Sequence, residues 1–201
     1  MRLAGVNVRR KRKYRITTRS NHHYPVSPNL IQGCFRAEKP NLVWVSDITY
    51  IRTAEGWLYL AVVMDLYSRK VVGWSLARNM AVEMVKNALF MAIGRRRPDP
   101  GLIHHSDRGV QYACHEYRRL LLSYGIMSSM SRSGNCLDNA VAERFFRSLK
   151  TECLLNWRSM SAGEVKHDIV DYIEMFYNHE RLHSFSGYLS PNDYEKLSGD
   201  S

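Results

Sequence analysis

A chain of 201 residues, 45% of them hydrophobic, can bury a substantial core, which excludes a disordered protein and sets one domain plus appendages as the expectation. With 29 Lys and Arg against 19 Asp and Glu the formal net charge is +10, a balance that favours a polyanionic partner. No apolar run approaches 18 residues, so no membrane-spanning helix is expected; the four cysteines include no C-x-x-C pair, so zinc is not expected and a reduced, cytoplasmic compartment is the simplest reading.

In chain order, residues 1–39 read as a basic arm or linker. Arg9-Arg10-Lys11-Arg12-Lys13 is a block of five cations, and Pro25, Pro28 and Pro40 interrupt the chain beyond it, a composition that resists packing. Such a block is either a solvated tail or an arm that touches DNA. Residues 40–160 read as the core and 161–201 as a helical extension of it. Leu42–Ile51 alternates with period two and predicts a strand. Glu55-Gly56 makes a turn, Trp57–Met64 reads as a buried second strand, and Val71–Ala77 as a third, together an antiparallel meander. Asn79 is placed to cap a helix over Ala81–Ile93. Leu102–Ser106 reads as a fourth strand, Glu116–Tyr124 as a helix stopped by Gly125, and Ile126–Met130 as a fifth strand. Asn135 can cap a long helix running to about Leu155, and a further helix covers roughly Ala162–Tyr177 before a polar tail. Strands in these proportions, covered by helices, give an α/β domain with a mixed five-stranded sheet.

Three acids stand out. Asp47 falls on the same side of its strand as Val43, Val45 and Ile51, and a carboxylate among core-facing residues needs a partner or a metal. Asp107 follows a predicted strand end in Ser106-Asp107-Arg108-Gly109, where ligands of α/β sheets gather, but taken alone an ordinary Asx turn is the favoured reading, because Asp before Gly is common in turns. Glu143 lies on the long helix, and Asn139, Glu143, Arg147 and Lys150 fall on one face, opposite Leu137, Val141, Phe145 and Leu149. Taken singly, each acid has a structural explanation. Together, oxygen ligands from a strand, a strand end and a helix suit Mg²⁺ or Mn²⁺, and two such ions can clamp an in-line phosphoryl displacement. Asp65 reads as a turn residue, His104 and His105 as shaping the pocket, and Trp44, Trp57 and Trp74 as core.

Trp44–Tyr50, His105–Tyr112 and Asp138–Phe146, with 35 residues between Asp107 and Glu143, resemble the D,D(35)E motifs of bacterial insertion-sequence transposases of the OrfB type, whose core belongs to the retroviral-integrase group. The segment Tyr177–Ser184 and the run Gly187–Pro191 are similar to that family's C-terminal pattern. The resemblance implies an RNase H-like fold, a catalytic and metal-binding triad of Asp47, Asp107 and Glu143, and Lys150 as a DNA contact, with Arg147 and Asn139 beside it. It implies DNA strand cleavage followed by 3′-hydroxyl strand transfer by a homo-oligomer holding two DNA ends, in the bacterial cytoplasm at the nucleoid. In the family a helix-turn-helix region precedes the core; this chain starts within the basic linker, so that region is expected to be absent. The competing expectations are a structure-specific nuclease of the same fold and a truncated DNA-binding product without chemistry.

Overall fold

The computed structural model describes residues 22–132, 139–153 and 156–199. Its centre is β1 (Val43–Thr53), which pairs antiparallel with β2 (Gly56–Asp65); β2 pairs antiparallel with β3 (Val71–Ala77). On its other edge β1 pairs parallel with β4 (Ile103–Ser106), and β4 with β5 (Met127–Met130), giving the order β3-β2-β1-β4-β5. The meander is as the alternation predicts. The β4 and β5 connections run through helices because parallel neighbours need a crossover.

The two faces of the sheet carry separate cores. Trp44 of β1 and Ala61 and Val63 of β2 meet α1 (Val82–Arg96) and α3 (His115–Ser123). Val45 and Ile51, with Leu60, Val62 and Met64, meet α4 (Ala140–Glu152) and α5 (Ala162–Asp171). Because β2 is covered on both sides it reads as a continuous apolar run, the pattern of a doubly buried strand. On β3, Gly73 lets α1 come close: a Cβ there would lie 2.2 Å from the Ala88 carbonyl oxygen.

Several local expectations are corrected. Helix α1 starts one residue later than predicted, and its N-cap is Ala81, with no side-chain cap, so Asn79 does not cap it. A short helix, α2 (Val110–Ala113), follows Asp107 at once; one turn with two buried residues leaves no periodicity to read. Asn135, expected to cap α4, lies outside the described residues, and α4 ends at Glu152. The capping box that starts α5 is formed by Ser161 and Glu164, and α5 runs on into a π-helical stretch, Tyr172–Tyr177. The expected polar tail holds α6 (Pro191–Gly199). That helix is bound into the fold by charge: Arg96 reaches Glu195 at 2.8 Å and the fully buried Asp65 at 3.3 Å, so Asp65 is an ion-pair anchor as well as the turn residue expected. Trp57 is exposed, stacked edge-on against Tyr50, while Trp44 is core as expected.

The second half of the expected arm packs. Ser27 donates to Ser128, Leu30 N–H to Ser129 Oγ, and Met130 N–H to the Pro28 carbonyl, so residues 27–30 cover the outer edge of β5. An exposed sheet edge is a pairing hazard, and prolines suit a segment that covers one without extending the sheet. The cation block lies outside the described residues.

Candidate active site

The site forms where β1 and β4 run side by side. Their parallel register ends on the pair Ser46–Ser106, so the next residues, Asp47 within β1 and Asp107 just past the end of β4, stand at neighbouring positions. Parity sends Asp47 to the α4 face with Val45 and Thr49, as the alternation predicts. One Asp47 oxygen accepts the Ile48 N–H at 2.8 Å. Beyond β4, Asp107 Oδ1 accepts the Gly109 N–H at 2.8 Å. The Asx turn and the strand-end site are therefore the same feature: the turn aims the carboxylate. Both acids line one narrow cavity of about 20 Å³, with Thr49, Met80, Gly109 and Gln111 around it. That space admits one water-sized occupant, so a larger substrate must lie across the mouth.

Helix α4 carries the third acid. It seats Ala142, Phe145, Phe146 and Leu149 in the core, the i, i+3, i+4, i+7 pattern of one helix face, which fixes its rotation. Phe145 and Leu149 pack as predicted; Val141 is half-buried at the margin, and Leu137 lies outside the described residues. The rotation leaves Glu143 and Arg147 exposed and Lys150 half-buried. Lys150 Nζ donates to Thr49 Oγ1 at 2.6 Å and lies 5.2 Å from the centre of the Tyr50 ring, which brings its charge to β1. Asn139, expected on the same outer face, is instead buried: its Nδ2 faces the Ser46 carbonyl at 3.5 Å and its Oδ1 has no hydrogen-bond partner among the described residues. It joins the first turn of α4 to β1.

The charges are unbalanced. The Asp47 carboxyl is pushed well above the ordinary aspartate range, first by burial, then by Asp107 and Glu143, while Lys150 pulls it back. Burial also raises Glu143, and it lowers Lys150. The protein's own groups thus leave crowded carboxylates short of positive charge, the condition a divalent cation relieves. Among the described residues no three His, Cys, Asp or Glu side chains stand close enough to hold an ion as placed. The donor chemistry fits a hard cation all the same: two aspartates share a cavity, and a glutamate is near enough to perturb one of them.

Behind the acids is a buried polar layer that sequence reading left undefined. His104 meets Ser46 Oγ at 2.8 Å and Tyr117 Oη at 3.1 Å, and burial depresses its pKa to about 3, so its ring is neutral. His105 is held between Ser129 and Ser131. Both histidines therefore brace β4 beneath the site. Arg108 is turned away, Nε donating to the Ser131 carbonyl. The Tyr112 hydroxyl is buried with no hydrogen-bond partner among the described residues, and its pKa is raised by burial, by Tyr117 and then by Asp47 and Asp107. The only advance signal for this layer was polar residues inside a strand otherwise read as core.

A five-stranded sheet of this order, with one aspartate inside its central strand and a second just past the end of the parallel neighbour, is the arrangement of an RNase H-like integrase core. Models of the integrase core domain match residues 37–136 and 143–198. The chain is 48% identical over 183 residues to the insertion element IS600 31 kDa protein of Shigella sonnei, covering 91% of this chain and 67% of that one. It is 43% identical over 195 residues to transposase InsF for insertion sequence IS3A of Escherichia coli, covering 97% and 68%. The chain belongs to this family of insertion-sequence transposases with an integrase core, and it is the family's catalytic core; enzymes of this class are polynucleotidyl transferases. Among solved structures it is similar to a chain of the simian T-cell lymphotropic virus intasome in complex with the PP2A regulatory subunit B56 gamma (TM-score 0.67, 19% identity, 89% of this chain and 60% of that one). It is also similar to the HTLV-2 integrase catalytic core domain in complex with magnesium (TM-score 0.60, 19% identity, 80% and 99%). At these identities the likeness is one of fold. No described helix is long and apolar enough to cross a membrane.

Proposed function

We propose that the chain cleaves DNA at the end of an insertion sequence and joins the freed 3′-hydroxyl to a second phosphodiester, using Asp47, Asp107 and Glu143 as metal ligands. The observation that carries the reading is the pair of aspartates at neighbouring positions on adjacent parallel strands, one within β1 and one just past β4, lining one cavity, with Glu143 perturbing Asp47. Mg²⁺ or Mn²⁺ in that position, two ions in the full site, would polarise the scissile phosphate and stabilise the attacking and leaving oxygens. The magnesium-bound HTLV-2 core supports the choice of cation by its shared fold.

The chain's own residues do the positioning. Asp47 and Asp107 are held by backbone N–H bonds, so their oxygens are pre-aimed. Water, in cleavage, or the 3′-hydroxyl, in joining, attacks phosphorus in line; its proton passes to solvent, the opposite P–O bond breaks, and the leaving 3′-oxygen takes a proton from solvent to become a hydroxyl, without a covalent enzyme intermediate. Arg147 and Lys150 stand beside Glu143 on α4 to take the flanking phosphates, and Asn139 holds the first turn of α4 against β1. A DNA substrate is supported by the transposase relatives, and a homo-oligomer that pairs two ends is part of the same proposal.

The test is strand transfer with Mn²⁺, a pre-cleaved end oligonucleotide and a plasmid target, wild type beside Asp107→Asn. Joined product from wild type alone supports the reading. Cut but unjoined target would make the chain a nuclease, and equal product from both proteins would remove Asp107 from the chemistry.

A further inference from the structure

On the next stripe of α4, away from the acids, Ala140, Arg144 and Ser148 line a separate cavity of about 440 Å³. Its opposite wall is formed by Arg181, His183 and Phe185 of the C-terminal segment, whose His179, Arg181 and His183 suggest from sequence a DNA-facing or subunit-facing tail, and its inner end is Arg69 from the β2–β3 turn. Four features make this a built site for an anion. Arg69 is mostly enclosed: Nη2 donates to the Phe35 carbonyl at 2.6 Å, its guanidinium lies 4.2 Å from the centre of the Phe185 ring, and Nη1 is buried with no hydrogen-bond partner among the described residues. Nε2 of His183 is likewise buried and unpartnered among the described residues. Arg69 takes a left-handed backbone conformation, φ 67°, a strained geometry retained where the surroundings demand it. Among the described residues the acids that act on these cations are both already paired: Arg181 holds Glu152 through both carboxylate oxygens, and Asp65 pairs with Arg96.

The charges inside agree with that geometry. Arg69 is lowered to about 10, by burial and by the nearby Arg144 and Arg36, although Tyr177 and Asp65 act the other way. His183 is lowered to about 4, by burial and then by Arg181, Arg144 and Arg69, with Glu152 opposing. The pocket therefore holds excess positive charge beside two buried nitrogens that have no partner among the described residues, and a buried Arg69 N–H without an acceptor is costly unless a ligand supplies one.

We propose that this cavity binds a phosphate group of a nucleic acid strand, with Arg69 Nη1 and Arg144 as its donors and Phe185 and the exposed Tyr188 flanking the attached sugar or base. A planar guanidinium suits phosphate oxygens, and aromatic side chains beside a cationic groove are the usual means of holding an unpaired strand. Because α4 carries Glu143, Arg147 and Lys150 on one stripe and Arg144 on the next, a strand crossing this helix reaches both sites. The proposal takes the DNA substrate from the function proposed above, but it concerns binding, so it stands or falls separately from the chemistry of the acids.

The experiment measures binding of the full chain to a fluorescent DNA with a single-stranded overhang across a salt series, for wild type, Arg144→Gln and Arg69→Gln. Arg144 is exposed and its replacement leaves the core untouched, so it keeps the test valid where Arg69→Gln fails to fold. The expected result is about tenfold weaker binding and a salt slope reduced by about one for each variant. A thermal-shift arm adds inorganic phosphate alone. Stabilisation of wild type but not of Arg144→Gln, together with the DNA effect, supports the phosphate site. Stabilisation by inorganic phosphate with unchanged DNA affinity and slope in Arg144→Gln would make it a small-anion site and overturn the nucleic-acid assignment. No change in either arm would overturn the proposal altogether.

Discussion

Replacing Asp47 with Asn should make the metal-free protein more stable while abolishing strand transfer. Asp47 is half-buried in its narrow cavity, and its charge is opposed first by desolvation and then by Asp107 and Glu143. Asn keeps the Oδ1 that accepts the Ile48 N–H at 2.8 Å, so the local geometry survives while the repulsion disappears. Relief of this kind at a functional site contributes about 1–2 kcal/mol, which for a domain of this size raises Tm by roughly 2–8 °C. The sign follows from linkage. A carboxyl whose folded pKa is raised stays protonated in the fold after the unfolded chain has released its proton, at about 3.9 for Asp. The wild-type stability therefore falls as pH climbs from there through the folded pKa, and the advantage of Asn should be absent at pH 3, grow through that window and be full above it. Scanning calorimetry of both proteins across this range is the assay. Adding Mn²⁺ should raise the wild-type Tm and leave Asp47→Asn nearly unmoved, because the ion offsets the same repulsion. A variant less stable than wild type at pH 7, or an equal Mn²⁺ shift in both, would refute the account of Asp47 as a carboxylate waiting for a cation.

The packing and the buried charges set three further outcomes. Gly73→Ala would set a Cβ 2.2 Å from the Ala88 carbonyl oxygen and 2.8 Å from the Ala92 nitrogen, both backbone atoms of α1, so calorimetry should show a loss of about 3 kcal/mol or no folded protein. Arg96→Met should cost about 3 kcal/mol by leaving the buried Asp65 without its cation, and adding Asp65→Asn should return part of it; chemical denaturation of the single and double variants tests this. His104, with its folded pKa depressed to about 3, binds a proton in the unfolded chain first. Its contribution is full above pH 6.5 and declines as pH falls, by about 2 kcal/mol at pH 5 relative to pH 7, and the pH dependence of unfolding of His104→Gln against wild type should lack that component.

The elements that sequence reading located best are those whose pattern depends on burial alone. Leu42–Ile51 alternates because one sheet face meets α4 and the other α1, and Trp57–Met64 is apolar throughout because β2 is covered twice. Asp47 was visible as an exception to such a pattern, which is why a strand acid could be singled out before any fold was known. Features decided by pairwise contacts left no such trace. Helix α2 is a single turn, α6 is attached through the Arg96–Glu195 ion pair across 98 intervening residues, and residues 27–30 are held by serine hydroxyls on β5. Asn139 was misplaced for a related reason. Helical spacing puts it in line with Glu143, but it precedes the helix, where its backbone has φ −127° and ψ 21°, and the side chain turns inward to Ser46.

Helix α4 shows how one amphipathic pattern can serve two electrostatic ends. Its buried stripe, Ala142, Phe145, Phe146 and Leu149, fixes rotation, so each neighbouring stripe has a set destination. One side carries Glu143, Arg147 and Lys150, and Lys150 bonds to Thr49 two residues beyond Asp47. The other carries Arg144 and Ser148 to the arginine-lined cavity under the C-terminal segment. Because adjacent positions on a helix are about 100° apart, exchanging Glu143 and Arg144 would keep composition, helix propensity and net charge. It would still place a cation beside the two aspartates and an acid among Arg69 and Arg181. The exchanged protein should fold, lose strand transfer, and bind DNA with a shallower salt dependence than Glu143→Arg alone, which carries the same cation at position 143. If it bound DNA with the same slope as Glu143→Arg, the Arg144 stripe would not touch the nucleic acid, and only the Glu143 stripe would remain as the DNA-facing side of the helix.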